Sequence, residues 1–244
     1  MVRRCMTTDC ASINQYSYSE VAARFAEVVG EPPKEKSAAL SKVHQALQPA
    51  LNEMFFTQRL VLVEGLEDVA YIHSWLILTD RWEAYRRTGC HVVAVGGKSE
   101  MIRPAIVALG LRIPVFAVVD ADGDKIEKPE NQTRHHRDNG ALVRLFNGDE
   151  ADLFPVTTCW LSNLVMWPSD LAATVEREFV EALGVQGAEQ FDQMRNEASL
   201  ECGNAGGLNK NAVYIGNLLE RLKETGVTSP SLDKLCERIV EFKS

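Results

Sequence analysis

The sequence predicts an α/β protein whose core is a parallel β-sheet flanked by helices. Three short aliphatic runs, at residues 59–65, 90–97 and 113–124, are typical of strands that are buried on both faces. Segments with helical periodicity, at 66–89 and 98–112, separate these runs. Because strands that alternate with helices pair in parallel, the pattern predicts one sheet with helices packed on it.

Additional helices are predicted at both ends of the chain. Residues 17–30 begin with a serine suited to capping a helix and end at a glycine. Residues 38–58 predict a helix interrupted near Pro49, whereas residues 1–17 are polar and show no clear periodicity. The elements predicted after residue 140 are a short helix at 141–148, a fourth strand at 163–168, and helices at 170–184, 188–207, 210–226 and 231–244.

A hydrophilic stretch at residues 125–140 follows the third strand. Its charged composition is typical of a solvated loop, and we interpret it as one. It is also rich in basic residues, and Arg134 and Arg137 suit contacts with a nucleic-acid backbone.

Composition narrows the class of protein. The chain has 244 residues, of which 45% are hydrophobic and 25% are charged, as expected for a globular protein with a substantial core. Its six cysteines form no CxxC pair, so we expect free thiols, a cytoplasmic location and no zinc site. No apolar run approaches the roughly 20 residues of a membrane span, and the N-terminus lacks the apolar stretch of a signal peptide. The net charge of −8 argues against non-specific coating of nucleic acid, but not against an enzyme that meets phosphates through metal ions.

Acidic side chains follow two of the three buried strands. Glu64 ends the first strand and Asp68 follows one helical turn later, whereas Asp120 and Asp122 end the third strand. Because the carboxyl ends of parallel strands share one edge of a sheet, we expect these four carboxylates to converge there. Clustered carboxylates repel one another unless cations neutralise them, and hard divalent ions such as Mg²⁺ prefer oxygen ligands. The sequence therefore predicts a metal site at this edge.

The same acids also allow a purely structural interpretation. Carboxylates at strand ends often cap helices, and "DADGD" (120–124) could form a turn. It is a poor calcium loop, because the twelfth position from Asp120 is Asn131 rather than a glutamate. A single Asp-x-Asp is weak evidence for a metal site, but its combination with Glu64 and an intervening Gly-Gly strand end is stronger.

Together these segments resemble a Toprim domain, the fold shared by topoisomerases, bacterial primases and a group of nucleases. The resemblance lies in a strand ending in Glu-Gly, "LVLVEGLEDVAYI" (60–72), and a later strand ending in Asp-x-Asp, "VFAVVDADGD" (115–124). The segment "VVAVGGKSEM" (92–101) resembles the middle strand and turn of that family. The position of Asp68 and the late "GGLNKNAVYIGNLL" (206–219) are similar to OLD-family nucleases, and the resemblance covers roughly residues 45–220.

The resemblance implies DNA cleavage with two divalent metal ions, Mg²⁺ or Mn²⁺, and roles for particular residues. The implied metal ligands of the first rank are Glu64, Asp120 and Asp122, followed by Asp68, Asp124 and Glu150 as ligands or as holders of water. Asp152, Glu176 and Glu178 are alternatives to Glu150. The implied catalytic residues are Glu64, Asp120 and Lys210, the lysine standing beside the phosphate, and the implied DNA contacts are Arg134 and Arg137.

The resemblance also implies a domain organisation. Residues 1–52 resemble the polar segment and helices that follow the ATPase domain of these proteins, and residues 53–244 resemble the Toprim nuclease domain with a C-terminal helical elaboration. No Walker A motif occurs in the chain, so it contains no complete ATPase. It is either a stand-alone nuclease domain or the C-terminal piece of a longer ATPase–nuclease, and we favour the piece because residues 1–50 resemble a continuation rather than a start. The expected partners are DNA, that ATPase domain and a second copy of the chain, and no membrane.

Other functional classes share the Toprim fold. A topoisomerase needs a tyrosine nucleophile in a partner domain, and a primase needs a polymerase-side domain and usually a zinc-binding one; neither is apparent here. A non-catalytic Toprim scaffold for DNA binding or oligomerisation would not need the full set of acids. The sequence therefore favours a metal-dependent DNA endonuclease or nickase, with the scaffold as the alternative.

Overall fold

The computed structural model describes residues 2–6, 11–32, 40–43, 49–150, 152–203 and 210–242. These residues form two compact units. The first unit takes the described residues up to Glu64 and those from Gly89 to Pro168, and the second takes Gly65–Thr88 and Ser169–Phe242. The predicted boundary between residues 52 and 53 lies inside the first unit, and the division into a linker and a nuclease domain stays a prediction.

The secondary structure follows the predicted alternation of strands and helices. The strands are β1 (Val2–Met6), β2 (Ala11–Gln15), β3 (Arg59–Val63), β4 (Cys90–Ala94), β5 (Val115–Asp120), β6 (Cys159–Trp160) and β7 (Leu164–Trp167). The helices are α1 (Tyr18–Val29), α2 (Pro49–Asn52), α3 (Leu66–Leu78), α4 (Trp82–Arg87), α5 (Lys98–Gly110), α6 (Pro129–Leu145), α7 (Leu171–Leu183), α8 (Gly187–Glu201), α9 (Ala212–Glu224) and α10 (Pro230–Glu241). Short 3₁₀ turns lie at Glu53–Phe56 and Gly123–Lys125.

A five-stranded sheet forms the centre of the first unit, in the order β4-β3-β5-β7-β6. The strands β4, β3, β5 and β7 are parallel, and only β6 pairs antiparallel, with β7. The residues of β3 from Leu60 to Val63 are fully buried, as their aliphatic composition predicts. This architecture confirms the predicted α/β fold with a mainly parallel sheet, including the fourth strand at 163–168.

The prediction of a loop at residues 125–140 is wrong. Most of this stretch belongs to α6, which begins with Pro129 in the first turn and also includes most of the short helix predicted at 141–148. The stretch looked solvated because the inward face of the helix is polar: His135, Asp138 and Asn139 are all buried. The amide of Asn139 donates to the backbone oxygens of Ala121 (2.9 Å) and Leu153 (2.7 Å), which fixes α6 against the loop after β5.

Several other predicted segments differ in their bounds. Within residues 1–17, where no periodicity is visible, β1 and β2 form an antiparallel pair. Of the helix predicted at 38–58, the structure gives α2 and a 3₁₀ turn, while residues 44–48 lie outside the described residues. The helix predicted at 188–207 ends at Glu201, and the glycine pair at 206–207 also lies outside the described residues.

The second unit is a group of helices that pack around α3. Trp75 of α3 is fully buried and lies edge-on to Phe179 of α7, with ring centroids 5.9 Å apart. Its indole nitrogen donates to Asp233 of α10 (3.0 Å), and Asp233 also accepts from Arg81 (2.8 Å). A single carboxylate therefore ties α10 to α3 and to the residue before α4.

We expect Asp233→Asn to destabilise the second unit. Burial opposes ionisation of Asp233, but hydrogen bonds from Thr228, Arg81 and Trp75 outweigh it and hold its pKa below the usual value. Because the folded pKa is depressed, this stabilisation is present above the unfolded pKa of about 3.9 and is lost as the pH falls through the folded pKa. The substitution should cost about 1–3 kcal/mol near pH 7, as measured by denaturant unfolding followed through tryptophan fluorescence.

The matched control is Asp192→Asn, because Asp192 is exposed and forms an ion pair with Arg195 one turn away on the same helix. That change should alter the unfolding free energy by less than about 1 kcal/mol. An equal effect of the two substitutions, or an Asp233→Asn effect that does not shrink at acidic pH, would contradict the assigned role of Asp233.

Among the described residues, no helix is both long enough and apolar enough to cross a lipid bilayer.

Candidate active site at the ends of strands β3 and β5

Glu64 lies directly after β3 and joins the ends of three elements. Its Oε1 accepts the backbone N–H of Asp120 at the end of β5 (2.9 Å), and its Oε2 accepts the backbone N–H of Lys98 at the start of α5 (3.0 Å). Burial raises the pKa of Glu64, although these two hydrogen bonds and the charge of Lys98 act in the opposite direction. The carboxylate is therefore held in place, but the positive charge near it does not fully offset the effect of its burial.

The Gly-Gly pair after β4 makes this arrangement possible. Gly96 and Gly97 have φ values of 86° and 121°, a region that residues with a Cβ rarely adopt. In this conformation both of their N–H groups donate to the backbone oxygen of Glu64, each at 3.0 Å. The turn therefore fixes the first residue of α5, Lys98, next to the end of β3.

Asp120 and Asp122 occupy the end of β5, as predicted. Asp120 is the last residue of the strand, and the N–H of Ala121 donates to the Trp167 oxygen of β7 (2.7 Å). Asp122 follows in a left-handed conformation (φ 56°, ψ 35°) and is buried. Left-handed backbone is uncommon for residues other than glycine, but aspartate tolerates it, and here it places the carboxylate among three cationic or polar groups.

Lys98 is a site residue that the sequence analysis missed. Only 4% of its side chain is exposed, and its Nζ donates to the Asp120 backbone oxygen (2.5 Å) and to Asp122 Oδ2 (2.8 Å). The other Asp122 oxygen accepts from Lys125 Nζ (2.6 Å). Burial alone would raise the pKa of Asp122, but the two ammonium groups outweigh it and hold that pKa below its usual value. Asp122 is therefore ionised, and the two ammonium groups balance its negative charge.

His135 of α6 is buried beside the same group, and the sequence analysis also missed it. His135 Nδ1 lies 3.1 Å from Asp122 Oδ2, close enough for an electrostatic contact but without the alignment of a hydrogen bond. Arg134 Nη2 lies 3.3 Å from His135 Nε2, and because guanidinium groups only donate, Nδ1 carries the proton of a neutral ring. Burial and the charge of Lys98 lower the pKa of His135, which favours this neutral form.

Asp138 links α6 to the start of α5. It is 1% exposed and accepts from the hydroxyl of Ser99 and from Nε (2.9 Å) and Nη2 (2.8 Å) of Arg137. Arg137 is thus held by a carboxylate, whereas Arg134 lines the cleft itself. The cleft has a volume of about 290 Å³, and its lining includes Glu64, Lys98, Asp122, Arg134, His135 and Asp138.

Other acids predicted as metal ligands have different surroundings. Asp124 is exposed beside Lys125. Glu150 pairs with Arg144, and Asp152 accepts the backbone N–H of Phe154 (3.2 Å). Glu150 and Asp152 thus each have a partner within their own segment.

The remaining predicted residues belong to the second unit. Asp68 accepts the N–H of Gly65 (2.9 Å) and so caps α3. Glu178 accepts from Ser229 and Ser231 at the start of α10, and Glu176 lies 3.9 Å from Arg195. Lys210 is exposed. Its positive charge acts on Glu67: burial and the charge of Asp170 raise the pKa of Glu67, and the charge of Lys210 lowers it.

Comparison with known families supports the interpretation of the strand ends. Residues 55–122 match the family model described as "Overcoming lysogenization defect protein-like, TOPRIM domain". This segment is similar to an OLD-like Toprim domain. The match spans β3, β4, α5 and β5, and so includes Glu64, Lys98, Asp120 and Asp122. No curated protein matches the chain.

Toprim domains act on nucleic acids and bind divalent metals, and a divalent ion needs oxygen donors in such a cleft. Glu64 lines the cleft and supplies oxygen donors that hard divalent ions prefer, and the raised pKa of this buried carboxyl is what a nearby cation would offset. With Asp120 at the end of the neighbouring strand β5, the chemistry of these two residues fits a divalent ion. Asp122 differs, because ammonium groups already contact both of its oxygens. Over the described ranges, no three His, Cys, Asp or Glu side chains are grouped as a metal would need.

Proposed function

We propose that this chain is a metal-dependent DNA endonuclease or nickase that hydrolyses phosphodiester bonds. The observation that carries the proposal is the meeting of Glu64 with the Asp120–Asp122 segment in one cleft of an OLD-like Toprim region. The proposal extends to a cytoplasmic location, to a homodimer, and to a role as the catalytic part of a longer ATPase–nuclease.

The proposed roles follow the sequence-based prediction. Glu64 and Asp120 would hold a divalent ion, Mg²⁺ or Mn²⁺, with Asp122 beside them, and the hydrogen bonds of Glu64 keep its carboxylate oriented. When bound, such an ion would supply positive charge beside the phosphate and lower the pKa of a water. Ligand or water-holding roles for Asp68, Asp124 and Glu150, and a total of two ions, stay predictions.

The cationic groups of the proposal divide into two kinds. Arg134 lines the cleft, and Arg137 lies on the same helix, so both suit contacts with the DNA backbone. Lys210 is proposed to stabilise the negative charge that develops on the phosphate.

The deciding experiment is cleavage of supercoiled plasmid by the purified chain. Nicked or linear product should form with Mg²⁺ or Mn²⁺ and no nucleotide, and should disappear with EDTA. Ca²⁺ binds similar oxygen donors but demands less strict geometry, so it serves as the control ion. Cleavage that persists in EDTA, or relaxation with religation, would contradict metal-dependent hydrolysis.

A non-catalytic Toprim scaffold is the second candidate, and the contacts of Asp122 favour it. A carboxylate already neutralised by Lys98 and Lys125 needs no metal. This candidate predicts that the chain retards plasmid DNA in gel-shift assays while producing no nicks with any divalent ion.

We expect Lys210→Ala to lower the cleavage rate by about 10²–10³-fold, the effect of removing one electrostatic stabiliser of a transition state. Metal affinity measured by calorimetry should change little, and Lys210→Arg should restore the rate only in part. The matched control is Lys234→Ala, another exposed lysine of the second unit. If Lys210→Ala cuts at the wild-type rate, the resemblance at 206–219 reflects only the start of a helix.

A further inference from the structure

We infer that the ammonium group of Lys98 takes the place of one divalent ion, so that the site binds a single metal beside Glu64 and Asp120. The inference rests on the proposed function and replaces its predicted count of two ions. It assigns Lys98 a positioning role: the lysine neutralises Asp122 and holds the Asp-x-Asp segment in place.

The first observation that supports this role is the position of Lys98. Its ammonium is buried and bridges two oxygens of the segment that should hold metal, the Asp120 backbone oxygen and Asp122 Oδ2. Its own backbone N–H is bonded to Glu64. A cation is thus fixed between the ends of β3 and β5, and the rigid Gly96–Gly97 turn sets its position.

The second observation that supports the role of Lys98 is the set of groups around Asp122. Lys125 contacts Oδ1, and Lys98 contacts Oδ2 with His135 Nδ1 3.1 Å from the same atom. A second ion that used Asp122 would meet the two ammonium groups that already contact its oxygens, and like-charge repulsion would favour displacing one of them. Displacing Lys98 would leave a buried charge without its two acceptors, which is strongly unfavourable.

The test is the number of Mn²⁺ ions bound per chain, measured on the whole chain by calorimetry and by the loss of the free-ion signal in electron paramagnetic resonance. We expect one ion for the wild type, two for Lys98→Met, and one for Lys98→Arg, which keeps the charge. The matched control is Lys125→Met, which removes the half-exposed partner of the same carboxylate. That variant should still bind one ion.

The wild-type count decides even if Lys98→Met fails to fold, which circular dichroism in EDTA would reveal. Two ions on the wild type would overturn the inference, and so would a single ion on a folded Lys98→Met variant. Plasmid cleavage measured in parallel separates this failure from that of the proposed function. A wild type that binds two ions and cuts DNA contradicts only the role of Lys98, whereas a wild type that neither binds Mn²⁺ nor cuts contradicts the nuclease proposal itself.

Discussion

Asp120→Ala is expected to reduce DNA cleavage by more than about 10²-fold while leaving the fold intact. Loss of a group that merely supports a metal ligand already costs 10–100-fold, so loss of a ligand should cost more. The contacts that Asp120 makes with Glu64 and Lys98 use its backbone N–H and backbone oxygen, and the substitution keeps both.

The metal-free Asp120→Ala protein should melt at the wild-type temperature or above it. Removing one carboxylate from a group of three relieves repulsion when no metal is bound. Plasmid cleavage with Mg²⁺ and thermal unfolding in EDTA measure the two effects separately. Normal cleavage would reject Asp120 as a ligand, and a drop of several degrees in melting temperature would make it a structural residue.

The positions of Glu64, Asp120 and Asp122 could be predicted because they depend on local pattern alone. Each of these acids lies at or just after the end of a buried aliphatic strand, and the carboxyl ends of parallel strands share one edge. The same argument could not rank the other acids. Asp68 and Glu150 carry the same charge, but whether a carboxylate faces a ligand, caps a helix or pairs with an arginine depends on contacts distant in sequence.

The groups that surround these acids could not be predicted in the same way. A lysine at a helix start is usually exposed, and Lys98 is buried only because the Gly-Gly turn directs the start of α5 toward Glu64. The available signal was the Gly-Gly-Lys after a strand, which is typical of a backbone that approaches another group closely. His135 and Asp138 were hidden because a helix with a polar buried face lacks the apolar periodicity used to recognise helices.

Glu64→Ala is expected to abolish cleavage and, unlike Asp120→Ala, to destabilise the first unit as well. The substitution removes the acceptor of two backbone N–H groups, those of Asp120 and Lys98, at the points where β5 ends and α5 begins. A buried donor left without an acceptor costs about 1–3 kcal/mol, so the two together should lower the free energy of unfolding by about 2–6 kcal/mol.

Glu64→Gln is the matched variant that separates the two roles of this side chain. It keeps the shape and one acceptor oxygen, but its amide nitrogen cannot accept from the second N–H. Its stability should therefore lie between those of the wild type and Glu64→Ala, while its cleavage should be as low as that of Glu64→Ala because the charge is lost. Denaturant unfolding in EDTA measures the stability, with the two compact units treated as separate transitions if more than one appears. If Glu64→Ala unfolds at the wild-type denaturant concentration, the hydrogen bonds of Glu64 do not hold the strand ends together, and its carboxylate serves the metal alone.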